Sequence, residues 1–171
     1  SLRVQAENVY AMAEVMQRVN QALYHDSRRE EFATLFYATL DRPTRTLTFV
    51  NAGHNHPILV REGECRPLRT GGLPLGLFPD AQYNEEQIQL QDGDVVLIYT
   101  DGFTEVPNAD GEEFGRARLQ QLVWSHRNLS AEKLVALLED RVAAFAGDPD
   151  ETGYEDDRTA VAITVPSFLP E

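Results

Sequence analysis

The residues of this chain best suited to chemistry are carboxylates at the ends of two apolar segments. Asp101 follows the run Val95-Val96-Leu97-Ile98-Tyr99-Thr100 and is itself followed by Gly102. Asp156 and Asp157 precede Arg158-Thr159 and the run Ala160-Val161-Ala162-Ile163-Thr164-Val165. A short unbroken apolar run suits a strand buried on both faces. A carboxylate at the rim of such a strand is rigidly supported. Two of them converging would favour a hard divalent cation such as Mg²⁺ or Mn²⁺, which selects carboxylate and water oxygens. The pattern therefore predicts Asp101 and Asp156 as metal ligands, with Asp157 beside them and turned away. Gly102 is expected to relieve the turn by taking a positive φ. For either segment alone, a strand ending in an ordinary Asp-Gly turn is the plain alternative.

Other constellations are weaker. His54 and His56 share the loop Asn51-Ala52-Gly53-His54-Asn55-His56-Pro57. Their spacing without a cysteine partner is a poor zinc set, and hydrogen bonding to nearby backbone suits loop histidines better. No serine stands in a nucleophile elbow. Gly71-Gly72-Leu73-Pro74-Leu75-Gly76 lacks the lysine and following helix of a phosphate-binding loop.

The elements that must carry these groups are legible from periodicity. Val9, Met12, Met16, Val19 and Leu23 recur at helical spacing and predict a helix over residues 1–24 with those side chains on its buried face. Phe32–Leu40 reads as a buried strand, rich in aromatic and β-branched residues, and Arg45–Val50 as its returning partner. Ile58–Val60, Cys65–Leu68, Glu86–Leu90 and Val95–Tyr99 follow as short strands, with residues 70–79 an irregular Gly- and Pro-rich loop. Helices are predicted at 114–126 and 130–146. The second has Leu134, Leu137, Leu138, Val142 and Phe145 as its apolar stripe, Ser130 as N-cap and Gly147 at C′. Closely spaced hairpins imply mostly antiparallel sheet.

Composition mainly excludes. The 171 residues suffice for one domain with a substantial core. Fifteen basic against 28 acidic residues leave a formal charge of −13, which disfavours nucleic acid and anionic membrane surfaces. No apolar run approaches the ~20 residues of a membrane span. Ser1-Leu2-Arg3-Val4 does not look like a secretory leader, and Cys65 as the only cysteine points to a reducing, cytoplasmic setting.

Five motifs occur in one order: Asn51-Ala52-Gly53-His54-Asn55, Gly72-Leu73-Pro74-Leu75-Gly76, Gly93-Asp94, Tyr99-Thr100-Asp101-Gly102-Phe103-Thr104-Glu105, and Asp156-Asp157-Arg158-Thr159. This series resembles the metal-dependent PPM-type bacterial serine phosphatases, in the branch of stage II sporulation protein E and the Rsb sigma-factor regulators. The resemblance runs over essentially the whole chain. It implies an α/β fold of the α+β type, a mostly antiparallel β-sandwich flanked by helices. It implies hydrolysis of phosphoserine or phosphothreonine on a protein partner, anti-anti-sigma-like, with two Mn²⁺ or Mg²⁺ ions in the complete domain. By position, Asp101 and Asp156 match the late metal-binding aspartates. Gly102 and Thr159 match structural places in those motifs, and His54 matches the family's Ala-Gly-His loop.

The chain also departs from the pattern. Members of that family open with Gly-Asp-aromatic-x-Asp, then Asp-x-x-Gly-His-Gly, and neither occurs in the 171 residues. The absent Asp is the one that bridges the two metals. Residues 1–171 are therefore expected to form a single domain, the C-terminal larger part of a phosphatase domain truncated at its N-terminal side. Such a piece would hold at most one weak cation, be inactive by itself, and be open to homodimer formation through an exposed sheet edge. A non-catalytic interaction domain that retains the phosphatase fold is the alternative.

Overall fold

A computed structural model describes residues 11–26, 31–146 and 157–166. The chain divides into two compact units, residues 1–54 with 69–90, and residues 55–68 with 91–171.

The first unit places helix α1 (Met12–Asp26) with strands β1 (Leu35–Asp41), β2 (Thr46–Ala52), β5 (Gly71–Gly72) and β6 (Glu86–Gln89). β2 is the hub. It pairs antiparallel with β1 on one side, and on the other with β6 (antiparallel) and β5 (parallel). α1 buries Met12, Val15, Met16 and Asn20. Met12 and Met16 meet the sequence expectation, whereas Val19 is only half-buried and Val9 lies outside the described residues. Met12 and Met16 pack with Val50 and Ala52 of β2 and with Leu75, Ala81 and Tyr83.

The expected buried strand over Phe32–Leu40 needs correcting. The strand starts at Leu35, its residues are half-buried to exposed, and Phe32 is 60% exposed. Its aromatic and β-branched composition suggested burial, but β1 is an edge strand among the described residues, so one side lacks a neighbour.

The second unit has the strand order β4-β3-β7-β8, from β3 (Ile58–Arg61), β4 (Glu64–Pro67), β7 (Val95–Tyr99) and β8 (Ala160–Thr164), all antiparallel. Helices α2 (Gly115–Ser125) and α3 (Ala131–Ala146) belong to it. Ile58 and Val60 of β3 and Val95, Leu97 and Tyr99 of β7 stand at alternate positions. They form a core with Leu119 and Val123 of α2 and Leu134, Leu138 and Val142 of α3. Val96 and Leu59, on the opposite pleat, are buried as well, so β7 is apolar on both faces as its sequence requires. Ser130 accepts from the Lys133 amide at 3.4 Å and caps α3 as expected, while Gly147 lies outside the described residues.

Strand entry into β7 is set by one buried ion pair. Asp94, 1% exposed at its side chain, accepts from Nε and Nη2 of Arg61 at 2.9 and 2.6 Å and from the Gln91 amide at 2.8 Å. Hydrogen bonding to Asp94, more than any other influence, raises the Arg61 pKa above its ordinary value. The Gly93-Asp94 motif is thus a structural turn: Gly93 supplies φ +81° and Asp94 ties β7 to β3.

Candidate functional site

Asp101 stands two residues beyond the end of β7, on a single 3₁₀ turn over Asp101–Phe103. Its backbone is anchored from both sides, since Tyr99 is 2% exposed and Phe103 is fully buried in the second unit's core. Its carbonyl accepts from the amides of Thr104 at 2.7 Å and Glu105 at 2.9 Å, and from the Thr104 hydroxyl at 3.2 Å. The carboxylate itself is exposed. A charged group reaching solvent from an immobilised backbone is a sound mount for a cation ligand.

The β7–β8 register brings residues 157–159 to the same rim. Tyr99 pairs with Ala160, and beyond it the Thr100 amide donates to the Thr159 carbonyl at 3.0 Å. The Thr100 hydroxyl then works twice, accepting from the Thr159 amide at 3.0 Å and donating to the Asp157 carbonyl at 3.2 Å. Thr100 therefore clamps residues 157–159 against the strand end that carries Asp101. Sequence reasoning missed this role. A threonine just before an Asp-Gly turn was the available signal, but its partners lie 57 and 59 residues away.

Gly102 is a glycine for a different reason from the one expected. Its φ is not in the positive region, where Gly53, Gly63, Gly76, Gly93, Gly111 and Gly115 lie. A Cβ on Gly102 would instead sit 2.6 Å from the Asp157 carbonyl oxygen and 3.1 Å from Cγ of Arg158. The missing side chain is what lets the two rim segments touch.

Asp157 is exposed, with its carbonyl engaged by Thr100. Asp156, the other predicted ligand, lies outside the described residues. Thr159 carries the paired backbone of the clamp. Among the described residues no three His, Cys, Asp or Glu side chains form a group able to hold a metal ion. The described donor chemistry fits a hard cation at Asp101 without completing a shell for one.

His54 belongs to the first unit and is half-buried. Its amide donates to Asn51 Oδ1 at 2.8 Å, closing an Asx turn. In the same turn Gly53 has φ +72°, and a Cβ there would lie 2.5 Å from Cγ of Pro74. Gly71 and Gly72 pair with Asn51 and Ala52, and a Cβ on Gly71 would lie 1.8 Å from the Asn51 carbonyl oxygen. The Asn-Ala-Gly-His and Gly-Leu-Pro-Leu-Gly motifs are thus two halves of one backbone contact. A further residue unmarked by the motifs is Asn20. Its Oδ1 accepts from the Gly76 amide at 2.8 Å and the Tyr83 hydroxyl at 3.2 Å, and its Nδ2 donates to the Phe78 carbonyl at 2.8 Å.

A mixed α+β chain with antiparallel sheets, helices and an acidic rim at the end of β7 has the fold of the PP2C-type phosphatases. The chain belongs to the stage II sporulation protein E (SpoIIE) family, whose model matches residues 1–166. It is 29% identical to Protein IcfG of Synechocystis sp. over 77% of this chain and 20% of that protein. It is 27% identical to the phosphoserine phosphatase RsbU of Bacillus subtilis over 75% of this chain and 38% of that protein. The chain thus spans well under half the length of either relative. It also resembles the phosphatase domain of the cell fate determinant SpoIIE from Bacillus subtilis, presoaked with Mn. That likeness has a TM-score of 0.65 and 20% identity, and covers 99% of this chain and 72% of that one. No helix among the described residues is long and apolar enough to cross a membrane.

Proposed function

We propose that this chain is the later part of one phosphatase domain, built from both compact units. The domain would act in the cytoplasm on phosphoserine or phosphothreonine of an anti-anti-sigma-like regulatory protein, with Asp101 and Asp156 as metal ligands. The observation that carries the reading is the rim of β7. There an exposed carboxylate on a fixed backbone stands beside residues 157–159, which follow Asp156 in the chain and lead into β8. The similarity to a phosphoserine phosphatase supports the substrate class.

Bound Mn²⁺ or Mg²⁺ supplies Lewis acidity that activates water and offsets charge on phosphoryl oxygens. The chain's own part is positioning. Asp101 presents its carboxylate, Phe103 and Tyr99 hold its backbone, and Thr100 with Gly102 keeps the second acidic segment at contact distance. The family's Gly-Asp-aromatic-x-Asp motif is not among the 171 residues, so residues 1–171 alone are proposed to bind at most one cation weakly and to hydrolyse negligibly. A homodimer through the β1 edge is part of the same proposal.

The test is a Mn²⁺ titration of residues 1–171 followed by thermal unfolding and by hydrolysis of a phosphoserine peptide. A site with Kd on the order of 1 mM adds about 1.4 kcal/mol of stability at ten times that concentration. Asp101→Asn should abolish the gain, and Asp157→Asn should keep most of it. An undiminished gain in Asp101→Asn removes Asp101 as a ligand. Strong Mn²⁺-dependent hydrolysis by residues 1–171 alone refutes the incompleteness. Light scattering on the same samples reads the oligomeric state. A longer natural chain that carries the early Asp motifs yet hydrolyses nothing would favour the interaction-domain alternative.

A further inference from the structure

Within the second unit, α2 and α3 bound an open groove of about 430 Å³. Its charge is opposite to that of the chain. The sequence carries 28 acidic residues and a formal charge of −13, yet among the described residues none that lines the groove is acidic and two are arginines, Arg118 and Arg141. The floor is apolar. Phe114 and Phe145 meet edge to face with ring centroids 5.3 Å apart, and Phe145 is only partly buried. Gln121 and Ser125 stand exposed on the α2 wall one turn apart.

The two arginines differ. Arg118 is held in place by Glu112 at 2.6 Å, by the carbonyls of Glu113 and Phe114 at 3.0 Å each, and by the Phe145 ring 5.0 Å from its Cζ. Much of its charge is therefore already answered. Arg141, one helical turn before Phe145, is exposed and makes no ion pair or hydrogen bond among the described residues. One free guanidinium is a poor clamp for a phosphate dianion, which favours several donors at once. One guanidinium beside an aromatic floor and two neutral polar side chains suits a carboxylate next to an apolar side chain, the chemistry of an acidic peptide.

We propose that this groove docks an acidic segment of a protein partner, with a carboxylate on Arg141 and an apolar anchor against Phe145. The surface lies wholly in the second unit and is independent of the metal site, so its test stands apart from the phosphatase reading.

The probe is a short fluorescein-labelled peptide alternating Glu with Phe, against a control with Gln at every Glu, read by fluorescence anisotropy. Salt of about 0.15 M screens charges beyond about 8 Å, so the chain's overall negative charge opposes binding little while contacts in the groove persist. The acidic peptide is expected to bind about tenfold tighter than its control. Arg141→Glu on α3 and Gln121→Glu on α2, both exposed positions, should each weaken it by about five- to tenfold while circular dichroism stays unchanged. Equal binding of the two peptides, no binding at millimolar protein, or wild-type affinity in both variants would overturn the proposal. Displacement by equimolar inorganic phosphate would also overturn it, in favour of a simple anion site.

Discussion

Gly102→Ala tests whether close approach, rather than backbone conformation, dictates the glycine at the candidate site. The new Cβ would meet the Asp157 carbonyl oxygen at 2.6 Å, so the 157–158 backbone must retreat by roughly 0.8 Å to reach ordinary contact at 3.4 Å. That oxygen belongs to the backbone and accepts from Thr100, so no flexible side-chain end can yield instead. Overpacking of this kind costs about 1–3 kcal/mol. At ~2–4 °C per kcal/mol for a chain of this size, the melting temperature should fall by about 5 °C. The Thr159 amide, bonded to the Thr100 hydroxyl, should exchange with solvent faster as the clamp opens. Gly111 provides the contrast: it has φ +78° and nothing within 4 Å of its Cβ position. Ala there should cost about 1 kcal/mol from backbone strain alone, and Asn, which tolerates that conformation, should recover part of it. At Gly102 Asn should be worse than Ala, because it is larger. Gly102→Ala within about 0.5 kcal/mol of wild type, or recovery by Gly102→Asn, would refute the steric account.

Two further outcomes follow from buried groups in the same chain. Asp94→Ala removes a buried carboxylate that accepts from Arg61 and from the Gln91 amide and should cost about 2–4 kcal/mol in urea unfolding, moderated because the Arg61 side chain is 30% exposed. A double-mutant cycle with Arg61→Ala should return a coupling of about 1–2 kcal/mol, and a value near zero would mean that water replaces the pair. Burial raises the phenol pKa values of Tyr83 and of Tyr99, the latter partly countered by the charge of Arg116. With the folded pKa above the unfolded value of ~10, the stability from these neutral phenols is complete below about pH 10 and lost as pH rises through the folded pKa. Tyr83→Phe and Tyr99→Phe should each remove a late component from the ultraviolet titration, and uniform ionisation near pH 10 would contradict the burial account.

Much of the fold was legible because local periodicity reports burial directly. Val95–Tyr99 is a short unbroken apolar run that suits a strand covered on both faces, and Leu134, Leu138 and Val142 repeat at the spacing of a helix stripe. Asn20 falls on the Met12–Met16 face at the same four-residue spacing and is buried there, although the apolar pattern does not mark it. Phe32–Leu40 looked buried because composition carries no information about which strand ends a sheet.

For the site, the sequence by itself supplied the candidates: Asp101 after an apolar strand, an acidic segment before another, and an ordered set of family motifs. Only the tertiary structure decided why the smaller residues of those motifs are what they are. Gly72 is forced by the carbonyl of Gln82, Gly53 by its positive φ and by Pro74, and Gly102 by the carbonyl of Asp157. Thr100 matters because it bonds residues 157 and 159. Side-chain spacing records which face of one element is buried, whereas close approach depends on the positions of two backbones distant in sequence. No local pattern in either segment encodes that distance, so it exists only once the strands have paired.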